Sequence, residues 1–513
     1  MSFSTLPTLL PEGLTGPLAT LERDETRVLE YRLENGMRVL LVERHMDPVV
    51  AVMTWFGVGA RNETEREAGV SHFLEHMMFK GSERFGKGQV DLLTTTLGGS
   101  NNAFTGADHT AYWFEFASDR WEKALELEAD RMRGLLLDAK EFEAEKAVVL
   151  EELAMGEDDP WRNLTQEVGH HLFPRHPYRR PVIGYADTLK HLTVDEMRDY
   201  YRRFYHPGNA TLVVCGDIDV SEALALVARH FRSIPAGAAY VEADPPRPPA
   251  IEPKGERRLR VTWDDQASRL CIAWPTTTVG SADDHVLDVL STLLTGGRLS
   301  RMYRELVLGK AIVTSISTHN DTRRDTGSFW LFAELAQGRD AAELERAIDA
   351  QLERLATELV PAAELERAKR TILAGEAYDS ETVSDLAEEV GEYAVDVEWK
   401  EAFATPKHIR AVTARAVQDC AKRLLAKDRR VLGWSVPETG VKASGAEAAR
   451  SSKGAKPRSA KSRVARRSSS ATKRRSSVAK SKTAKPSGAR RATKSTKRSA
   501  KSATRRRAAG GAR

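Results

Sequence analysis

Apolar positions alternate along RVLEYRL and again along MRVLLVER, on either side of Glu34-Asn35-Gly36. Asn-Gly between two alternating runs predicts a β-hairpin. DPVVAVMTWFGVGA follows as an almost continuous apolar run, which predicts a third, more buried strand. Helical periodicity takes over at 68–80 and at 119–137. NNAFTGADHTAYWFEFA predicts a strand pair, and NATLVVCGDIDV a buried strand after a helix. Strands, then helices, then strands predict an α+β layered fold and not an alternating βαβ fold.

The second half repeats the first. DTLKHLTVDEMRDYYRRFYHPGNATLVVCGDI (187–218) resembles PKHIRAVTARAVQDCAKRLLAKDRRVLGWSVP (406–437): a short helix, Thr, a long helix, then an apolar strand. A unit of about 200 residues implies duplicated domains, since solenoid units run roughly 20–50. Between the copies, 236–256 holds five Pro and little apolar material, which predicts a linker. The expected organisation is an extension (1–26), a first domain (27–235), the linker (236–256), a homologous second domain (257–438) and a tail (439–513). Each domain is expected as an α/β sandwich, a mixed sheet with helices packed on it.

Charge separates the tail from the rest. Residues 450–513 carry 24 of the 78 Lys/Arg and none of the 73 Asp/Glu, leaving 54 basic against 73 acidic residues before them. The tail is Lys/Arg/Ala/Ser with scattered Pro and no aromatic residue, so it cannot bury enough apolar area to offset chain entropy and is expected to be disordered. Without stacking side chains, its contact with nucleic acid would be Coulombic and salt-dependent; the alternative is a solvated tail that touches only the acidic body. Cys215, Cys271 and Cys420 are far apart and form no CxxC pair, which fits a reducing compartment. The first 25 residues have no basic residue before Arg23 and do not resemble a secretory signal. No apolar stretch approaches the roughly 20 residues of a membrane span. A cytoplasmic protein without membrane contact is expected, with nucleoid association through the tail.

The chemistry concentrates in SHFLEHMMFKG. His72 and His76 are one helical turn apart, so both imidazoles can face one ion, with Glu75 beside them to take a proton from a metal-bound water. The alternative is a solvated helix face. Hydrolytic zinc needs a third protein ligand and an open position. KEFEAEKAVVLEELAMGEDDP offers Glu145 and Glu152, two turns apart on a face shared with Val148 and Val149. Two carboxylates on such a stripe require a cation, either a metal or a pair of Arg residues. His170, His171 and His176 lie in the turn-rich GHHLFPRHPY, which predicts no second metal; Gly98-Gly99 and Gly296-Gly297 predict turns.

GVSHFLEHMMFKG, LGGSNNAFTGADHTAYWFEF, EKAVVLEELAM, HPYRRPVIG and FYHPGNATLVVCGDID, in this order, resemble successive signatures of the inverted-zincin metallopeptidases, the family of pitrilysin, insulin-degrading enzyme and mitochondrial processing peptidase. The resemblance covers about 28–437. It implies one zinc per chain on His72, His76 and Glu152, with Glu75 as general base and Glu145 supporting a ligating histidine. It further implies that substrate adds as a β-strand along Asn102 and Ala103, and that a two-domain chain pairs with a related chain to close a chamber. The second copy lacks the histidine pentad. The Arg and Tyr that members of the family often place seven apart in the second half are replaced by Val307 and Thr314, with Arg298, Arg301 and Arg304 nearby as expected surface charges. A zinc metalloendopeptidase cleaving unfolded peptides is the function implied; a non-catalytic partner subunit and a nucleic-acid-associated protein are the alternatives.

Overall fold

The computed structural model describes residues 3–237 and 255–438. The basic tail and most of the Pro-rich linker lie outside them. Seven strands build the first sheet: β1 (Leu14–Arg23), β2 (Thr26–Leu33), β3 (Arg38–Glu43), β4 (Val49–Phe56), β5 (Ser100–Thr105), β6 (Thr110–Ala117) and β7 (Ala210–Gly216), in the order β1-β2-β3-β7-β4-β6-β5. Five build the second: β8 (Arg257–Trp263), β9 (Ser268–Pro275), β10 (Val313–Asp321), β11 (Ser328–Leu335) and β12 (Val431–Pro437), in the order β10-β11-β9-β12-β8.

Read from the other edge, β8-β12-β9-β11-β10 matches β3-β7-β4-β6-β5 strand for strand. The one parallel pairing of each falls in the same place, β3 with β7 and β8 with β12. The repeated segments occupy equivalent elements. Helices Ala186–His191 and Val194–Phe204 lead into β7, and helices Thr405–Ala411 and Ala414–Leu424 lead into β12. Thr193 and Thr413 cap the longer helix of each pair, their hydroxyls accepting from the backbone N–H of Glu196 and Ala416.

β1 and β2 are additions to the first sheet. The hairpin at Asn35-Gly36 forms between β2 and β3, and Gly36 takes the positive φ of 92° that this turn requires. The segment expected as an N-terminal extension departs from that reading: Leu14–Arg23 pairs antiparallel with β2 and forms the sheet edge. Its alternation is broken by Pro17 and by a register shift between Thr15 and Ala19, which hid the strand from periodicity.

Each sheet is covered on its outer face by a helix from the other half of the chain. Helix Val383–Asp396 lays Val383, Leu386, Ala387, Val390 and Ala394 onto Val28, Leu40, Val42, Met53, Trp55 and Val213 of the first sheet. In return, helix Pro160–Leu172 packs Leu164, Val168 and Leu172 against Cys271, Ala273, Trp330 and Val431 of the second. Each large apolar side chain so buried contributes about 1.5–3 kcal/mol, so neither sheet is complete without the other half. A buried polar joint adds to the junction: Arg61 lies 2.9 Å from both Asp108 and Asp325, and Tyr178 donates to Asp108 and accepts from the N–H of Asp325.

Gly391 sets how closely the crossing helix approaches: a Cβ there would stand 2.0 Å from Nε1 of Trp55. Overpacking of this kind costs about 1–3 kcal/mol, so Gly391→Ala should lower the midpoint of thermal unfolding. A midpoint equal to the wild type would show that the helix is free to shift.

Candidate metal centre

The helix predicted over 68–80 runs from Val70 to Met77. Gly69 enters it at φ 97°, and a Cβ there would meet the carbonyl of Ile183 at 2.5 Å. The buried Glu63 caps it, accepting from the N–H of Gly69 (2.9 Å) and of Ser71 (2.8 Å). Phe73, Leu74 and Met77 are buried beneath, which turns His72, Glu75 and His76 outward on one side. The acidic helix, Ala139–Glu157, packs beside it and carries Glu145 and Glu152. Asp138 caps this helix, and Phe142, Val149 and Leu153 pin it to the core; Val148, expected on the apolar stripe, is exposed.

The two helices bring His72, His76 and Glu152 to one point. Nε2 of His72 lies 3.7 Å from one oxygen of Glu152, and Nε2 of His76 lies 3.5 Å from the other. Both gaps are too long for good hydrogen bonds. They suit ligands shared by one tetrahedral zinc, whose bonds of about 2.0–2.2 Å put its donors roughly 3.3–3.5 Å apart. The donor set therefore fits zinc. His76 gives Nδ1–H to Glu145 at 2.9 Å, and Glu145 also takes Lys80 at 2.6 Å. That hydrogen bond fixes the tautomer and leaves the Nε2 lone pair for a metal. Nδ1 of His72 is buried without a hydrogen-bond partner among the described residues.

Charge states follow from the surroundings. Burial pushes the His72 imidazole down to about 4, helped by His76 and Arg162, so it stays neutral and able to ligate at neutral pH. Burial also raises the Glu75 carboxyl, against the opposing pull of the Thr105 hydroxyl and His76. Burial acts to raise Glu145 too, yet Lys80 and His76 outweigh it and hold that carboxyl below its ordinary value.

β5 lies at the free edge of the first sheet and carries Asn102 and Ala103. The hydroxyl of Thr105, on the same strand, donates to Glu75. This contact sets the edge strand beside the carboxylate, and no sequence pattern marked it. A cavity of about 960 Å³ opens just beyond, walled by Trp161, Phe173, Trp330 and Phe332, with Arg162 at its rim.

Other expectations shift. His170 and His171 sit on the helix Pro160–Leu172 and not in a turn; His176 accepts from the N–H of Tyr178 and faces Asp325. None of the three joins a metal-binding group among the described residues. Val307 lies in the π-helical turn Tyr303–Gly309 and packs on the second core. Thr314 gives its hydroxyl to Glu334 at 3.0 Å. The β10 hydroxyls that line the cavity are those of Ser315 and Ser317, which the sequence did not single out. Arg301 is no surface charge: it is buried in a two-pronged pair with Glu364 at 2.7 and 2.9 Å.

A family model described as Insulinase (Peptidase family M16) matches residues 38–185, and one described as Peptidase M16 inactive domain matches 191–372. An uncharacterized zinc protease of Mycobacterium leprae is 30% identical over 424 residues, spanning 81% of this chain and 93% of its own. The zinc protease PqqE of Helicobacter pylori is 30% identical over 374 residues, 71% of this chain and 82% of its own. Among solved structures, a protease from Helicobacter pylori superposes with a TM-score of 0.76 at 26% identity, over 80% of this chain and all of that one. Pitrilysin shares the fold with a TM-score of 0.69 at 20% identity, over 81% of this chain and 45% of its own.

Proposed function

The chain belongs to peptidase family M16, a family of zinc proteases, and on that premise we propose that it is a zinc metalloendopeptidase hydrolysing peptides and unfolded segments. The observation that carries the reading is the convergence of His72, His76 and Glu152 at zinc-ligand spacing, with Glu75 on the same helix face.

Zinc held by these three side chains would polarise the scissile carbonyl and acidify water. Glu75 accepts the proton of the attacking water and passes it to the leaving amine. Its raised pKa brings it nearer neutrality than an ordinary carboxylate, which suits a base that must also act as an acid. Glu145 orients His76 from behind, as Lys80 in turn orients Glu145. Substrate lies along β5 as an added antiparallel or parallel strand, using the free backbone groups near Asn102 and Ala103. Zinc should bind at about one per chain at this centre, and His76→Ala should release it, because two remaining ligands hold zinc poorly. Full occupancy of the centre in that variant would overturn the assignment.

Catalysis also needs donors for the oxyanion. Val307 cannot donate, and the Thr314 hydroxyl is engaged by Glu334. We therefore infer that the active form is a two-chain assembly in which a related chain supplies them. The same observation favours a second reading, a non-catalytic partner subunit; retained zinc without turnover in any pairing would select it.

The segment 450–513 is proposed to bind polyanions through charge alone. Removing 442–513 should leave peptide turnover unchanged and abolish retention on DNA or heparin, while the full chain elutes over a narrow rise in salt. Equal retention of the shortened chain would place the polyanion site elsewhere.

A further inference from the structure

A second group of metal-binding side chains lies apart from the histidine helix, where the two halves meet. His109 ends the loop between β5 and β6 and is buried against Trp55, with ring centroids 5.1 Å apart. Facing it are Glu392 and Asp396, one turn apart on the crossing helix Val383–Asp396. One ring nitrogen of His109 and one carboxylate oxygen each from Glu392 and Asp396 lie within 4.8 Å of one another. Nδ1 of His109 is 3.2 Å from Asp396. Glu392 makes no hydrogen bond or ion pair among the described residues, and its carboxylate faces the large cavity beside Asp396 and His109.

The charges around this group do not balance. Glu388, Glu392 and Asp396 occupy successive turns of one helix, and like charges at i,i+4 repel. The cation acting on both Glu388 and Glu392 is His109, a single imidazole. A His109–Asp396 ion pair alone leaves Glu392, exposed and without a hydrogen bond or ion pair among the described residues, repelled by Glu388 and Asp396 on its own helix.

We propose that His109, Glu392 and Asp396 hold a divalent cation of the zinc or manganese class, with remaining positions open to the cavity. An imidazole with two carboxylates suits such ions. The three donors lie within 4.8 Å of one another, against the roughly 3.3–3.5 Å of a tetrahedral site, so a bound ion would draw them closer. Because His109 follows β5 and the carboxylates belong to the crossing helix, the ion clips the β5–β6 loop to the second half of the chain. The free edge that carries Asn102 and Thr105 is thereby anchored at its end.

The test is zinc stoichiometry of the full chain after loading with zinc sulfate and removal of loose metal by gel filtration. The wild type is expected to retain two zinc ions per chain, and Glu392→Gln/Asp396→Asn one. His72→Ala/His76→Ala should also retain one, and its unfolding midpoint should rise on adding zinc, a rise that Glu392→Gln in the same background removes. Glu392→Gln keeps the shape of a side chain with no hydrogen bond to lose, so the variant folds. One zinc in both the wild type and the Glu392→Gln/Asp396→Asn protein would overturn the second site, as would a His72→Ala/His76→Ala protein that neither binds zinc nor gains stability from it. Failure of the histidine centre has a different signature: the His72→Ala/His76→Ala protein would then retain as much zinc as the wild type.

Discussion

Replacing Glu75 by Gln should leave zinc at the histidine centre while slowing peptide hydrolysis by about 10²- to 10⁴-fold, the usual weight of a positioned general base. The amide keeps the size of the side chain and can still meet the Thr105 hydroxyl that holds Glu75. It cannot accept the proton of the attacking water. Glu152→Gln should act in the opposite way, losing the metal because a carboxylate oxygen faces each imidazole. Metal analysis with turnover of a quenched peptide separates the two, and identical behaviour of both variants would refute the division between base and ligand.

Adding a related second chain should raise turnover by about 10²- to 10³-fold, the cost of one missing oxyanion donor. Within this chain, Val307 is packed into the second core and the Thr314 hydroxyl is committed to Glu334. Ser315 and Ser317 line the cavity and are candidates within the chain itself. Titrating partner chain against peptide turnover, with sedimentation to count chains, measures the effect. High turnover by this chain alone as a monomer would assign the donor role to those serines, and Ser315→Ala or Ser317→Ala would then lower it.

The duplicated architecture is legible in the sequence because it rests on local signals. Asn35-Gly36, the alternation around it, the Thr-capped helices before β7 and β12, and the apolar runs of the strands themselves each follow from short-range chemistry. The His72/Glu75/His76 helix face was legible for the same reason, since a helical turn fixes which residues are neighbours. β1 is not legible in the same way, because Pro17 and a shifted register break its alternation.

What folding alone decided is which distant surfaces meet. Residue spacing offered several carboxylates on the acidic helix and the family resemblance pointed to Glu152 and Glu145; helix packing is what brings Glu152 to the imidazoles and Glu145 to the back of His76. Thr105 became a partner of Glu75 because a strand edge passes the histidine helix, and Arg301 left the surface because Glu364 drew it inward. The exchange of helices between the sheets, and with it the meeting of His109 with Glu392 and Asp396, joins residues more than 280 positions apart. Periodicity reports only that a face is apolar, not which face it will cover; the hydrophobic effect has no direction, and the partner is chosen by the shape and connectivity of the whole chain.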